Sequence, residues 1–159
     1  MYDVMKYASP VGELTLAGDG DGLVGLWLEG QKYFGAGLDL SGGRCSPILG
    51  RTGEWLDRYF AGDRPSPAEL SLMPVGTAFQ RTVWGRLCEI PFGEVITYGE
   101  LARDLNTSAR AVGSAVGRNP ISIIVPCHRV LGADGGLTGY AGGVERKRWL
   151  LGHEGIKAK

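Results

Sequence analysis

The chain has 159 residues, of which 43% are hydrophobic and 21% are charged, and its formal net charge at pH 7 is zero. This length fits one domain or two small ones, and the composition is that of an ordinary globular protein. No apolar run approaches the roughly 18 residues of a membrane span. The N-terminus also lacks a basic region followed by an apolar core, so we expect neither a membrane segment nor a signal peptide.

Charge is distributed unevenly along the sequence. Residues 1–74 contain six basic and ten acidic side chains, whereas residues 75–159 contain the other eleven basic and seven acidic ones. The two halves therefore carry net charges of −4 and +4. A basic half is compatible with an anionic polymer as a partner, although a solvated surface produces the same division.

The cysteines Cys45, Cys88 and Cys127 are widely spaced and odd in number. This pattern argues against a disulfide framework and favours a reducing, cytoplasmic environment. Only His128 and His153 could join the cysteines as metal ligands, and the sequence contains no CxxC pair. No metal site is therefore predicted.

The first part of the sequence predicts an antiparallel meander. Short apolar segments at 2–8, 12–18 and 22–30 alternate with turn residues that are rich in glycine and aspartate. Each segment is long enough for one strand, and the turns are short enough to join neighbouring strands. An imperfect apolar stripe over 46–62 predicts a helix, and 70–76 predicts a further short strand.

We expect a domain boundary near Pro74. Residues 1–74 would form a structural α/β domain, in which a small antiparallel sheet packs on a helix. Residues 75–159 would form a second, mostly helical domain. Capping boxes that begin at Thr77 and Thr97 are typical of the first turns of two of its helices.

A third helix is predicted to begin after Ser108, across a tight polar turn from the Thr97 helix, which is a helix-turn-helix pattern. Small side chains dominate this third helix: Ala109, Ala111, Gly113, Ser114, Ala115 and Gly117. Such a helix either packs closely on its neighbours or enters a groove too narrow for ordinary side chains. The minor groove of DNA, about 6 Å wide, is such a groove. Arg110 would then be the long side chain that inserts into the base stack.

The apolar, β-branched segment 121–130, ISIIVPCHRV, predicts a buried strand. Pro126 would end this strand and present the thiol of Cys127. A free thiol has a pKa of about 8.5, so a nucleophilic thiol needs a base, and that base needs an orienting acceptor. His128 is the candidate base, acting through one bridging water, and Glu154 is the candidate acceptor. The alternatives are that the cysteine fills a core or binds a metal.

The motif PCHRV at 126–130 resembles that of the O6-alkylguanine-DNA alkyltransferase family, the methylated-DNA–protein-cysteine methyltransferases. The resemblance extends through GTAFQRTVW, IPFGEVITYGELA, ARAVG and GYAGGVERKRWLLGHEG, and so covers essentially all of residues 75–155. The N-terminal half matches more loosely, in length and strand order. The resemblance implies a ribonuclease-H-like N-terminal α/β domain and a winged-helix-like, mostly α C-terminal domain with a helix-turn-helix.

This resemblance implies DNA repair by direct reversal. Members of the family flip O6-alkylguanine, and O4-alkylthymine, out of duplex DNA through the minor groove. They transfer the alkyl group irreversibly and stoichiometrically to their own cysteine, which corresponds to Cys127. The implied partner is double-stranded DNA that bears O6-alkylguanine, bound by a monomer, with cooperativity on DNA left open. No membrane, cofactor or metal is implied.

The resemblance also implies roles for individual residues. His128 would be the base, Glu154 its orienting acceptor, and Asn119 a brace between the recognition helix and the active site. Tyr98 would hydrogen-bond the flipped base, and Arg110 would fill its place in the stack. The substrate pocket would further include Val130, Tyr140, Ala141 and Gly142, and the groove-facing residues would be Ser108, Ala109, Ala111 and Gly113.

Two other functional classes remain open from the residues alone. A Cys–His hydrolase would turn over repeatedly and would need an oxyanion hole. A helix-turn-helix regulator would carry several long polar base readers on its recognition helix, and the third helix has few of them. The charged run at 145–148, ERKR, is interpreted as a solvated helix start with some attraction for phosphate.

Overall fold

The structure is a computed structural model that describes residues 2–137 and 139–157. The chain divides into two compact units. Unit 1 consists of residues 1–75 together with 120–122, and unit 2 consists of residues 76–119 together with 123–159. No helix in the described ranges is long and apolar enough to cross a membrane.

Unit 1 is built on an antiparallel sheet of three strands within the described residues, in the order β1 (Asp3–Ser9), β2 (Gly12–Asp19) and β3 (Gly22–Leu28). Ser9 pairs with Gly12 across the first turn, where Gly12 has φ of 108°. This left-handed backbone is open to glycine at little cost, which explains why the turn is so short. Every residue of β3 is buried. The predicted meander is confirmed.

Helix α1 (Pro47–Phe60) packs on this sheet. Ser46 precedes it, and Pro47 occupies the first turn, where the missing N–H costs nothing. The buried stripe of the helix is apolar apart from Thr52 and Gly53: Ile48, Leu49, Trp55, Leu56 and Tyr59. The helix predicted over 46–62 is therefore confirmed to within two residues at each end.

The strand predicted over 70–76 is wrong. This segment forms only an isolated parallel bridge, between Leu72 and Leu23 of β3. The Leu23 N–H donates to the Ser71 carbonyl at 2.8 Å, and the Met73 N–H donates to the Leu23 carbonyl at 2.7 Å. Pro74 follows directly and has no N–H to continue a ladder, so the pairing stops there.

A second short segment lies along β3 within unit 1. The Leu26 N–H donates to the Pro120 carbonyl at 2.9 Å, and the Ser122 N–H donates to the Leu26 carbonyl at 3.0 Å. Ile121 is the residue that pairs with Leu26, and it is fully buried. These three residues therefore add a short parallel pairing to the sheet.

In its described residues, unit 2 contains four helices and one short pair of parallel strands. The helices are α2 (Ala78–Leu87), α3 (Tyr98–Asp104), α4 (Ala109–Gly117) and α5 (Val144–His153), and the strands are β4 (Ile96–Thr97) and β5 (Val130–Leu131). Both predicted capping boxes are present in full, at Thr77 with Gln80 and at Thr97 with Glu100. Together with unit 1, this confirms the predicted fold class.

The buried strand predicted over 121–130 is wrong. After the bridge at Ile121, the chain makes turns, and Cys127–Arg129 form a single turn of 3-10 helix directly before β5. Ile123 has a left-handed φ of 72°, and the prolines at 120 and 126 carry no N–H. A regular strand is excluded by these three residues, although the segment is buried as expected. The Cys127 thiol therefore does not lie at a strand end.

The α2 capping box generates a prediction about stability. In Thr77→Ala, the Gln80 N–H loses the hydroxyl that accepts it at 3.1 Å, so we expect a loss of about 1 kcal/mol in the free energy of unfolding. Thr82→Ala is the matched control in the same helix, because its exposed hydroxyl bonds only the Ala78 carbonyl. We expect this change to stay within about 0.5 kcal/mol of the parent protein. Chemical denaturation measures both, and equal losses would contradict the capping argument.

Candidate active site

The Cys127 thiol is buried in the 3-10 turn, with 5% of the residue exposed. The backbone N–H of Cys127 donates to the Val125 carbonyl at 2.8 Å, and the Asn119 side chain donates to the same carbonyl at 2.9 Å. Burial raises the pKa of the thiol, and a hydrogen bond from the Asn119 side chain and the positive charge of Lys147 oppose that rise. A hydrogen bond from the backbone of Cys127 itself also lowers the pKa, so several polar contacts favour the thiolate against burial.

His128 follows the cysteine and is fully buried. Its Nε2 lies 2.7 Å from Oε2 of Glu154, which is also buried. Because a carboxylate only accepts hydrogen bonds, Nε2 must carry the proton, and Nδ1 then holds a lone pair. Within residues 2–137 and 139–157, Nδ1 has no hydrogen-bond partner. The imidazole is thus oriented by the carboxylate and has one nitrogen available to accept a proton.

Glu154 caps the C-terminal end of α5, and Gly155, with φ of 86°, ends the helix. Besides His128, Arg129 donates to the carboxylate through Nε, at 2.8 Å, and through Nη2, at 3.1 Å. The Gly93 N–H adds a further bond at 3.1 Å. Burial alone would raise the pKa of Glu154, but the bonds and charges of His128 and Arg129 hold it well below its usual range.

Lys147 is fully buried, so the interpretation of 145–148 as a solvated helix start is wrong for this residue. It lies on the inner face of α5, three and four positions before the buried Leu150 and Leu151. Its Nζ donates to the Val130 carbonyl at 2.6 Å. Desolvation lowers the pKa of Lys147 to about 8, although a negative Cys127 would raise it. A cation is therefore held beside the thiol.

Tyr98 connects this cation to helix α4. It is the first residue of α3, and its ring centroid lies 5.9 Å from Nζ of Lys147. A methyl group added at Gly113 would lie 3.9 Å from the Tyr98 ring, and one added at Gly139 would lie 3.5 Å from its hydroxyl. The structure therefore brings Tyr98, Val130 and Lys147 together with the Cys127 turn.

The loop after Gly139 forms a tight turn. The Gly143 N–H donates to the Tyr140 carbonyl at 3.0 Å, which places Ala141 and Gly142 at the two central positions. Tyr140 is buried, and the two central residues are half-buried.

Helix α4 presents two different faces. Ser108 caps it and accepts from the Ala111 N–H at 3.1 Å. The inner face is packed within unit 2 and includes Val112, Ala115 and Val116. On the other face Ala109 and Arg110 are exposed, and Ala111 and Gly113 are half-buried. The close-packing interpretation is therefore confirmed for the inner side of the helix, and groove binding by the exposed side stays a prediction.

Two family models match the chain. The DNA binding domain of 6-O-methylguanine DNA methyltransferase matches residues 78–156, and its ribonuclease-like domain matches residues 4–74. The chain belongs to the 6-O-methylguanine DNA methyltransferase family. Among curated relatives, the methylated-DNA–protein-cysteine methyltransferase of Haemophilus influenzae is 44% identical over 94% of this chain and 84% of its own length. That of Methanosarcina acetivorans is 45% identical over 94% and 96%.

Solved structures of the family have the same fold. Mycobacterium tuberculosis OGT in complex with DNA matches with a TM-score of 0.86 and 43% identity, over 96% of this chain and 93% of that one. The methyltransferase of the archaeon Pyrococcus kodakaraensis matches with a TM-score of 0.75 and 28% identity, over 98% and 100%. The fold is therefore retained at sequence identities well below one half.

Sequence reasoning placed Cys127, His128, Glu154 and Asn119 in one site, and the structure brings these four together. It missed three residues that contact the site: Gly93, Arg129 and Lys147. Arg129 is the fourth letter of PCHRV, and the spacing of Lys147 from two buried leucines could have indicated its burial. No local signal relates Gly93 to a carboxylate 61 positions later.

The buried carboxylate predicts a pH-dependent stability. Glu154→Gln leaves Arg129 buried without its counter-charge, so we expect a loss of about 3–5 kcal/mol at pH 7. An unfolded glutamate takes up a proton near pH 4.3. In the folded protein Glu154 has a lowered pKa and stays ionised to lower pH. As pH falls below about 4.3, the unfolded state therefore binds more protons, and the contribution of Glu154 declines.

Denaturant unfolding of both proteins between pH 3 and pH 8 measures this effect. The stability difference should be constant above about pH 5 and should narrow below about pH 4.3. Glu145→Gln, at an exposed position of α5, is the control and should follow the parent curve. A difference that stays constant down to pH 3 would contradict the lowered pKa.

Proposed function

We propose that this chain repairs DNA as a methylated-DNA–protein-cysteine methyltransferase. It transfers the alkyl group of O6-alkylguanine, and of O4-alkylthymine, to its own Cys127 in a single irreversible event per molecule. The observation that carries the proposal is the buried His128–Glu154 pair directly beside a buried thiol, with Nδ1 of His128 available as a proton acceptor. Membership of the family supports the same activity.

The reaction begins with the thiol proton. It passes through one bridging water to Nδ1 of His128, while Glu154 holds the proton on Nε2 and stabilises the imidazolium. The thiolate then attacks the alkyl carbon, a sulfur–carbon bond forms, and the carbon–O6 bond breaks. The electron pair of that bond goes to the purine, which takes up a proton while the imidazolium gives one back, so that unmodified guanine remains in the DNA. No step restores the thiol, so each molecule reacts once.

Asn119 and Lys147 support the thiolate. A thiol in an apolar interior ionises poorly, and burial does raise the pKa of Cys127. The hydrogen bond from Asn119 and the Lys147 cation favour the ionised form and compensate part of that cost. Val130 and Lys147 are joined by a 2.6 Å hydrogen bond, which keeps this cation in place. We assign the catalytic role to Cys127, His128, Glu154 and Asn119.

The target atom cannot be reached inside a duplex, so the damaged base is flipped out of the stack. The exposed side of α4 carries small residues, which suits the minor groove, and Arg110 fills the vacated place in the stack. Tyr98, Val130 and the turn formed by Tyr140, Ala141 and Gly142 receive the flipped base. The residues of α4 that face the groove, and so position the helix on the DNA backbone, are Ser108, Ala109, Ala111 and Gly113.

The two parts of the chain have different roles in this proposal. Residues 1–74 are structural, and residues 75–159, with their net charge of +4, bind DNA and accept the alkyl group. The protein acts as a monomer and needs no cofactor. Three free cysteines suit the reducing cytoplasm, where we place it.

Intact-mass measurement tests the activity. Incubation with duplex DNA that contains O6-methylguanine should add the mass of one CH2 group, at Cys127, with one equivalent as the limit. Cys127→Ala should gain nothing. Cys45→Ala should react like the parent, because Cys45 is exposed and lies in unit 1. Catalytic turnover without a mass gain would indicate a hydrolase and would overturn the proposal.

A second prediction separates base flipping from chemistry. Arg110→Ala should slow the reaction with duplex DNA by about tenfold or more, because nothing then holds the stack open. The reaction with the free O6-alkylguanine base should keep its rate, since no flipping is needed. Arg103→Ala, at an exposed position of α3, removes the same charge and should have a much smaller effect. Equal slowing of Arg110→Ala with both substrates would refute the insertion role.

A further inference from the structure

The turn formed by residues 90–93, which we call the Pro91 turn, lies against the Arg129–Glu154 ion pair. The Ile90 carbonyl accepts from Nη1 of Arg129 at 2.6 Å, and the Phe92 ring lies 5.9 Å from the guanidinium carbon. The Gly93 N–H donates to Oε1 of Glu154 at 3.1 Å. The turn thus contacts both partners of the ion pair, although the reaction described above makes no use of it.

We propose that Arg129 and Gly93 are positioning residues for the alkyl transfer, which act by fixing the orientation of the Glu154 carboxylate. With both oxygens of Glu154 held, Oε2 faces Nε2 of His128 and keeps the proton there. The other ring nitrogen, Nδ1, is then always the one that accepts the thiol proton. The inference rests on the proposed function, since it concerns the base of that reaction.

The geometry of Arg129 is specific to a guanidinium. Its Nε and Nη2 bond the two oxygens of Glu154, and Nη1 bonds the Ile90 carbonyl. The first two donors determine the rotation of the carboxylate, and the third fixes the plane of the guanidinium itself. A lysine ammonium at this position retains the charge but has no planar pair of donors to offer.

Arg129 also influences the basicity of His128. The charged groups that affect the imidazole are Glu154, Arg129 and Lys147, and the thiol of Cys127 is its neighbour in the chain. Burial lowers the pKa of His128, contact with Glu154 raises it, and the two cations lower it further. Removal of the Arg129 charge should therefore make His128 more basic, so that it becomes protonated and loses its function as a base at a higher pH.

Gly93 contributes a backbone N–H that depends on an unusual conformation. Its φ is 84°, and an added methyl group would lie 3.4 Å from the backbone carbonyl oxygen of Glu154. An alanine at this position is strained by the positive φ, and a change of φ that relieves the strain turns the N–H away from the carboxylate. Gly62, after α1 in unit 1, has a similar φ of 94° but open space around it. An alanine at Gly62 is therefore a matched control, since it has the same unfavourable φ but no contact with the active site.

The arginine is tested by single-turnover alkyl transfer to the full chain, with duplex DNA that contains O6-methylguanine, between pH 5 and pH 9. In Arg129→Met the acid side of the rate profile should move to higher pH by about half a pH unit or more. The maximal rate should fall about tenfold. Arg129→Lys should keep the acid side in place and lose only rate, because the charge remains. Arg86→Met, which breaks a surface pair with Asp104, should change neither.

The role of Gly93 is tested in the same assay, and this test does not depend on whether the arginine variants fold. Gly93→Ala should lose about tenfold in rate at saturating DNA, whereas Gly62→Ala should lose a similar amount of stability and no rate. An unmoved acid side in Arg129→Met, or equal rates for the two alanine variants, would overturn the inference. If the parent protein itself gains no alkyl group, the proposed function fails instead.

Discussion

The Glu154 carboxylate is buried where three separate segments of the chain meet, and hydrogen-bond donors keep it ionised. The donors belong to two of these segments: the Pro91 turn supplies the Gly93 N–H, and the Cys127–Arg129 turn supplies His128 and Arg129. The third segment is the end of α5, which carries the carboxylate. A charge in such a position is tolerated only when its hydrogen bonds are complete. The hydrogen bonds of the Glu154 carboxylate therefore determine where these segments meet in unit 2. Because Cys127 and His128 lie on one of the segments, the same bonds position the thiol and its base.

A second buried charge, on Lys147, has a different function. The Glu154 carboxylate accepts hydrogen bonds from several donors. Nζ of Lys147 instead donates to the Val130 carbonyl and lies 5.9 Å from the centroid of the Tyr98 ring. Desolvation lowers the pKa of Lys147 to about 8, and a negative charge on Cys127 would raise it. One site thus combines a buried carboxylate, which orients the imidazole, with a buried cation whose charge lowers the pKa of the Cys127 thiol. In the proposed mechanism, these two charges are what allows a buried cysteine to act as a nucleophile in an apolar setting.

The sequence predicted most accurately the features that depend on residues close to one another in the chain, such as turns and helix caps. Alternation and glycine-rich turns located β1 to β3, and both capping boxes formed with the partners that their spacing indicates. The segment 121–130 shows where such reasoning stops. Its β-branched composition favours a strand, but the left-handed Ile123 and a side-chain bond from Asn119 to Val125, six positions away, turn it back on itself. These constraints come from packing and long-range bonds, which composition does not record.

The site was predicted through its motif more than through its geometry. Cysteine, histidine and a distant glutamate were combined because a thiol needs a base and a base needs an acceptor. The contribution of charged residues to a buried site is harder to predict, since arginine and lysine are usually solvated. Arg129 and Lys147 are exceptions because each has a specific acceptor inside unit 2.

The tripeptide 120–122 has a consequence for how the chain can be divided. It belongs to unit 1, where Leu26 gives and receives a backbone hydrogen bond with it, yet it lies between two stretches of unit 2 in the sequence. A nick or gene split after Val75 would leave the amide and carbonyl of Leu26 on an open sheet edge, which is a template for aggregation. Residues 1–75 produced alone would therefore lack a segment that belongs to their own unit.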